Sequence, residues 1–261
     1  MSGISISPKR FDALILAAHA LVSCALATLW HPPVLVTALY LFALPAAYLA
    51  WRAQKRLVRD LLGAALLGPV FGFMFDYYGY VNHLWTYHDQ WMVLPRFLGT
   101  PLDILAWSFM WALYLEFLYE HFFEPQESGT ALSKAFVPML LFTLWGCVWL
   151  VWHANSFVGG GVHAYLWTGL FSLWPVIAAL FFVPRLMPSV FVAALAGLPL
   201  NALYEWSSCT AGYWTFDAHY LGIVHLFGCA LPVEELLFWV LATPLLVLCN
   251  FLLFIRPLKP R

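Results

Sequence analysis

Charge is what this sequence has least of. Asp, Glu, Lys and Arg together make up 10% of its 261 residues, well under half the share usual in soluble domains. Such a chain has neither the basic stripe that a nucleic-acid surface needs nor the solvated charge of a disordered tail. Two common cofactor signatures are missing as well: no Gly-rich phosphate loop and no dinucleotide fingerprint occurs, so no cofactor is expected. The five cysteines have no zinc-like spacing. Nine histidines are present, seven of them on one side of the topology given below, but none falls in an HxxxH, HxxHH or HExxH pattern. The spacings His83-x4-His88 and His219-x5-His225 match no strong site, and no metal is expected.

What is abundant is apolar: 63% hydrophobic and 18% aromatic residues. A bilayer core of about 30 Å takes roughly 20 apolar residues per helix, and eight stretches qualify, at 11–30, 34–51, 57–75, 101–123, 134–153, 163–183, 186–204 and 232–254. The fold class is therefore an all-α polytopic membrane protein with about eight transmembrane helices. The first stretch reads as a retained helix, since 24–33 has no clear small-x-small cleavage site. Of the twelve Lys and Arg residues, only Arg96 falls on one side. Lys9, Arg10, Arg52, Lys55, Arg56, Arg59, Lys134, Arg185, Arg256, Lys259 and Arg261 fall on the other. The positive-inside rule then predicts a multi-pass cell-membrane protein with both termini cytoplasmic.

Only two inter-helical loops are long, 76–100 and 205–231, and they resemble each other. Asp76 matches Glu205, Trp85-Thr86-Tyr87 matches Trp214-Thr215-Phe216 and Gly99 matches Gly228, all at an offset of 129; Pro101-Leu102-Asp103 then meets Pro232-Val233-Glu234 at 131, through a two-residue insertion. The chain thus divides into two tandem repeats of four helices, 1–130 and 131–261. An even helix count makes the repeats parallel in the membrane, so that the two loops share the outer side and can border one pocket between the halves. Cys209 and Cys229 flank the second loop and could pair if that side is oxidising; the sequence alone leaves them free.

Acids are costly in or beside lipid, yet five of the thirteen lie at these mirrored positions: Asp76, Asp103, Glu205, Glu234 and Glu235. Pro232 followed by two glutamates is also an ordinary helix start, with proline in the first turn and carboxylates at the positive end of the dipole. The repetition favours a functional site. The loop aromatics Trp85, Tyr87, Trp214 and Phe216 fit an interfacial belt, or a wall that stabilises a cation. Glu116 and Glu120, at the far end of the fourth helix, read as solvated helix-end residues.

The run Pro232-Val233-Glu234-Glu235-Leu236-Leu237-Phe238-Trp239, with the preceding acid, the Trp-x-aromatic element and the tandem arrangement, resembles the integral-membrane, flavin-independent carotenoid (lycopene) cyclases, in their fused two-repeat form. Two features depart from that family: the first half reads Pro101-Leu102-Asp103-Ile104 where a second acid pair is usual, and eight helices exceed the number usual in fused members. The resemblance implies an isomerase of carotenoid biosynthesis that closes the end group of lycopene to a ring, most simply of β type, without redox change. A carboxylic acid protonates the terminal alkene, an internal double bond attacks the cation, and a base removes a proton. It assigns the proton to the Glu234/Glu235 pair and gives Asp76, Glu205 and Asp103 to proton acceptance or support. Trp85, Tyr87, Trp214 and Phe216 then line the cation. The implied partners are a lipophilic carotenoid within the bilayer, membrane lipid, and a second copy or other carotenoid enzymes. Two readings compete: a carotenoid hydratase, which lets water capture the same cation, and a transporter or channel with paired acid sites. A Glu-Glu-x-x-x-Arg membrane protease does not fit, because Trp239 stands at the arginine position.

Overall fold

The computed structural model describes residues 7–53, 57–123, 131–157 and 163–257. Among them, eight helices are long and apolar enough to cross a membrane: α1 (Pro8–Trp30), α2 (Val34–Arg52), α3 (Leu57–Val81), α4 (Leu102–Phe122), α5 (Phe136–His153), α6 (Ala164–Phe182), α7 (Pro184–Ala211) and α8 (Glu235–Ile255). The protein is an all-α polytopic membrane protein. Lys55, Arg56, Lys259 and Arg261, which contribute to the basic asymmetry, and residue 130, where the first repeat ends, lie outside the described residues.

Helix α4 is the hub: 72% of its most apolar window is buried, against 11% for α5 and 22% for α6, whose side chains face outward toward lipid. The close approach of α3 to α4 depends on Gly68, where a Cβ would come within 2.5 Å of the Ser108 carbonyl oxygen. Proline and π-helical turns bend the spans. Pro69 sits in a π-helical stretch at Leu66–Val70, and α8 starts as a π-helix over Glu235–Ala242. Widening a helix spoils regular carbonyl pairing. Asn201 of α7 answers this by donating its side-chain amide to the carbonyls of Trp239 at 2.9 Å and Val240 at 3.2 Å, and Thr243 donates to the Phe238 carbonyl at 2.6 Å.

Two helices run further than hydropathy alone predicts. α3 continues past Asp76 to Val81, and α7 past Glu205 to Ala211, where Gly212 ends it in the left-handed conformation (φ 68°). Both acids therefore stand inside helices near their ends, not at the start of a loop. Local hydropathy falls at Asp-Tyr-Tyr-Gly and Glu-Trp-Ser-Ser, but backbone hydrogen bonding continues there.

The loops that follow fold alike. β1 (Thr86–Tyr87) and β4 (Trp214–Thr215) pair antiparallel with Thr86 opposite Thr215, so matched residues of the two loops face each other, as a two-fold axis along the bilayer normal would arrange them. β2 (Arg96–Phe97) and β3 (Thr100–Pro101) form a hairpin around Leu98-Gly99, and β5 (Ile223–Leu226) and β6 (Cys229–Pro232) form one around Phe227-Gly228. All four turn residues have positive φ, 50° and 90° in the first and 49° and 87° in the second, the conformation of a two-residue hairpin turn. The second hairpin has four-residue strands where the first has two, which accounts for the shift in offset from 129 to 131.

At the opposite end of the bundle, where α1 starts and α8 ends, polar groups are also buried. Asp12 accepts from Tyr48 at 2.6 Å and His121 at 2.9 Å and pairs with Arg52 at 3.1 Å, tying α1, α2 and α4 together. Glu116 and Glu120 are not solvated helix ends. Glu116 has no exposed surface and packs against Gly63 of α3, and Glu120 pairs with the buried Arg59. The reason is that α4 runs through the middle of the bundle, so that even its final turns are covered.

Candidate active site

The five acids divide into two kinds. Asp103, in the first turn of α4, accepts the backbone N–H groups of Val93 at 2.9 Å and Leu94 at 2.8 Å. Glu234, its counterpart in the other half, accepts that of Leu221 at 2.8 Å. Each holds the chain segment that leads into its hairpin. They are loop anchors at equivalent positions.

Asp76, Glu205 and Glu235 form the second kind. All three are buried, at 6%, 1% and 6% exposure. Asp76 accepts a hydrogen bond from the Tyr87 phenol, and Glu235 accepts one from the Tyr165 phenol. The charged groups within electrostatic reach of Glu235 are Glu205 first and Asp76 next, so the three belong to one cluster drawn from α3, α7 and α8. The indoles of Trp214 and Trp239 approach Glu205. Neither completes a bond, and among the described residues both oxygens of Glu205 are without a partner. Adjacent in sequence, Glu234 and Glu235 turn to different partners: one holds a loop, the other joins the cluster. The Tyr87 phenol lies outside the spans. Its apolar surroundings, and next the Asp76 carboxyl, push it well above the usual tyrosine range, which keeps it protonated and donating.

Three of the four predicted aromatics meet this cluster. Tyr87 bonds Asp76, and its ring meets Trp214 across the β1–β4 ladder at 6.0 Å. Trp214 also stands beside Glu205, and Trp85 packs edge-on against Tyr165 at 5.6 Å. Phe216 is one ring further out, against Tyr220 at 6.1 Å, and reaches no acid. Tyr213 braces the loop from below. It is fully buried, donates to the Pro32 carbonyl at 2.5 Å and shares a 2.6 Å hydrogen bond with Thr37, and burial pushes its phenol up to about 12.

Sequence reasoning missed the groups that carry the site into the bundle. From Tyr87 and Trp214 a file of rings continues to Tyr204 (6.2 Å), then to Trp107, stacked on Tyr204 at 5.1 Å and 11°. Trp239 follows at 4.9 Å from Trp107, and Trp111 at 5.1 Å from Trp239. The Tyr204 hydroxyl and the Trp107 indole N–H are buried without partners among the described residues. A signal for these rings was available in the i, i+4 spacing, which puts Asp103, Trp107 and Trp111 on one face of α4 and Glu235 and Trp239 on one face of α8. Tyr165, alone at the start of α6, gave none.

Chemically, the arrangement offers carboxyl groups held with phenolic donors, one carboxyl left uncommitted, and π-faces suited to an extended unsaturated chain or a developing cation. Among the described residues no three of His, Cys, Asp and Glu stand close enough to hold a metal ion. Compared with family models, curated proteins and solved structures, the chain matches none.

Proposed function

We propose that the protein is a membrane-embedded carotenoid cyclase that closes the end group of lycopene or a related acyclic carotenoid by protonation, cyclisation and proton loss. The observation that carries the reading is that three buried carboxyls, with Glu205 and Asp76 both within electrostatic reach of Glu235, stand at the head of the aromatic file that leads into the bundle. Three carboxylates cannot all be ionised together in an apolar site, so the cluster keeps at least one proton to give. Glu205, whose oxygens are without a hydrogen-bond partner among the described residues, is suited to give it to the terminal alkene. Glu235 and Asp76, each held in place by a phenolic hydrogen bond, are suited to take the departing proton from the ring. The tertiary cation formed between these steps is stabilised by Trp239, Trp107 and Trp214, an interaction worth about 2 kcal/mol or more when desolvated. A site lined by rings also keeps out the water that would trap the cation. Proton gain and loss balance, and substrate and product are isomers. The lipophilic substrate enters from the bilayer.

The same reading has the chain in the cell membrane with both termini cytoplasmic. Lys9, Arg10, Arg52, Arg59, Lys134, Arg185 and Arg256 are at or near the helix ends on the terminal face, and Arg96 is in the opposite loop, engaged with Asp89. One observation favours a second reading. Glu116 is buried with both oxygens unpartnered among the described residues at the other face of the bundle, and acids near both faces are what a proton-coupled transporter would need.

The deciding experiment expresses the chain in lycopene-producing cells and repeats the reaction with purified protein in deuterium oxide. A cyclase gives a product of unchanged mass in ordinary water and one deuterium per ring in heavy water. A product heavier by the mass of water identifies a hydratase. Unaltered lycopene beside proton-coupled uptake in liposomes would leave the transporter.

A further inference from the structure

Two cysteines lie at the edge of the site without belonging to it. Cys209 is in the last turn of α7, four residues and one helical turn beyond Glu205. Cys229 is the first residue of β6, buried at 3% exposure. Its sulfur lies 3.8 Å from the Trp206 carbonyl and 3.6 Å from the Thr210 hydroxyl, both on α7. Cys209 lies between these two residues on α7, three on from Trp206 on the same side of the helix and next to Thr210, so that the two thiols share this end of the helix. The remaining cysteines, Cys24, Cys147 and Cys249, are in α1, α5 and α8.

The other half of the molecule supplies an independent comparison. At an offset of 129, Cys209 corresponds to Tyr80 and Cys229 to Thr100. There the hairpin is seated by packing: the Tyr80 ring lies so close to the turn that a Cβ on Gly99 would come within 2.3 Å of it. The matching turn glycine, Gly228, has nothing within 4 Å of that position. The second hairpin is longer and its tip is bare, with Phe227 90% exposed. Where one half seats its hairpin with an aromatic ring, the other has a cysteine on the helix and a cysteine on the strand packed against it.

We propose that Cys209 and Cys229 are a thiol–disulfide modification site whose oxidised form clasps β6 to the end of α7. The two thiols exchange with a disulfide oxidant, either an oxidised dithiol protein or glutathione disulfide. Two S–H bonds here are replaced by one S–S bond, and the oxidant's S–S bond is replaced by two S–H bonds, so that two electrons and two protons pass to the oxidant. The clasp closes a short loop between the helix that carries Glu205 and the strand that leads into Glu234 and Glu235, and fixes the distance between them. The site is independent of the reaction proposed above.

The test uses the purified full chain in detergent, treated with dithiothreitol or with glutathione disulfide, acid-quenched, denatured and alkylated. Intact mass should count five alkylated cysteines in the reduced protein and three in the oxidised one, with a linked peptide joining Cys209 to Cys229. C209S and C229S should each give four under both conditions, and both serine variants keep the fold because serine fits the thiol site. The oxidised protein should melt about 5–10 °C above the reduced one, an effect the serine variants lack. Five alkylated thiols after oxidation, or a bond mapped to a different pair, overturns the proposal.

Discussion

Under the proposed function, the division of the acids into loop anchors and a buried cluster has a consequence opposite to what their order in the sequence suggests. Glu205→Gln removes a titratable proton at nearly constant shape from a side chain whose two oxygens are without a hydrogen-bond partner among the described residues. The Trp214 and Trp239 indoles can approach an amide oxygen as they approach the carboxyl, and an ionisable group leaves an apolar site, so stability should stay level or rise. If that carboxyl delivers the proton, the loss of general-acid catalysis is about 10²–10⁴-fold, or about 3–5 kcal/mol of transition-state stabilisation at 1.36 kcal/mol per tenfold. Glu234→Gln is the control. Its amide oxygen still accepts the Leu221 N–H, now as a neutral acceptor, and the difference between a charged and a neutral hydrogen bond is about 1 kcal/mol. The assay is conversion of lycopene by purified protein, with thermal unfolding measured in parallel. Glu205→Gln should melt normally and fail to cyclise, whereas Glu234→Gln should melt a few degrees lower and cyclise within a few-fold of the parent. Equal loss in the two variants, or activity retained in Glu205→Gln, would refute the division.

Tyr165→Phe removes the phenolic donor to Glu235 while keeping the ring that packs on Trp85, so it should lower kcat about ten- to a hundredfold with KM little changed; a change confined to KM would argue that Tyr165 only shapes the pocket. Gly79→Ala puts a methyl group within 2.1 Å of the Trp85 ring, and displacing that ring should cost about 1–3 kcal/mol, read as a lower melting temperature and an altered tryptophan spectrum. Phe227→Cys presents a thiol at the bare hairpin tip and should react with a membrane-impermeant maleimide from outside intact cells. Labelling only after lysis would invert the proposed orientation.

Much of the architecture was written in the sequence because lipid makes its demand residue by residue. The eight apolar runs correspond to eight helices among the described residues, and their bounds differ chiefly where α3 and α7 carry polar groups into the last turns. Hydropathy registers Asp76, Glu205, Ser207 and Ser208 as the end of a span, although the backbone there has no reason to leave the helix. Burial at α4 was hidden for the opposite reason. Glu116 and Glu120 look like a solvated end unless α4 is known to be the hub, and which helix is central is a tertiary fact. The aromatic file has the same origin. Spacing lines Trp107 and Trp111 up with Asp103, and Trp239 with Glu235, but only packing shows that these faces turn inward while Trp145, Trp152 and Trp167 face lipid, 60%, 81% and 64% exposed.

The pair Glu234-Glu235 shows where the repeat itself was informative once geometry is added. Successive helix residues point about 100° apart, so two adjacent glutamates are poorly set to act as one group, and here one accepts a backbone N–H from the loop while the other accepts a phenol from α6. At the offset of 131, Asp103 corresponds to Glu234 and Ile104 to Glu235. Every half needs an anchor, because each has an entering loop with free N–H groups to satisfy, and each half has one. Only one half needs the additional carboxyl. Ile104, 1% exposed, occupies the corresponding direction in the first half with a side chain that could not hold a proton. The apparent loss of an acid from the first repeat therefore leaves its loop anchor in place, and Asp76 with Tyr87 is that half's own contribution to the buried cluster. An Ile104→Glu variant would bury a second carboxyl with no phenol in the position of Tyr165, since the residue at the offset of 129 from Tyr165 is Val36; the asymmetry of the halves lies in that missing donor as much as in the missing acid.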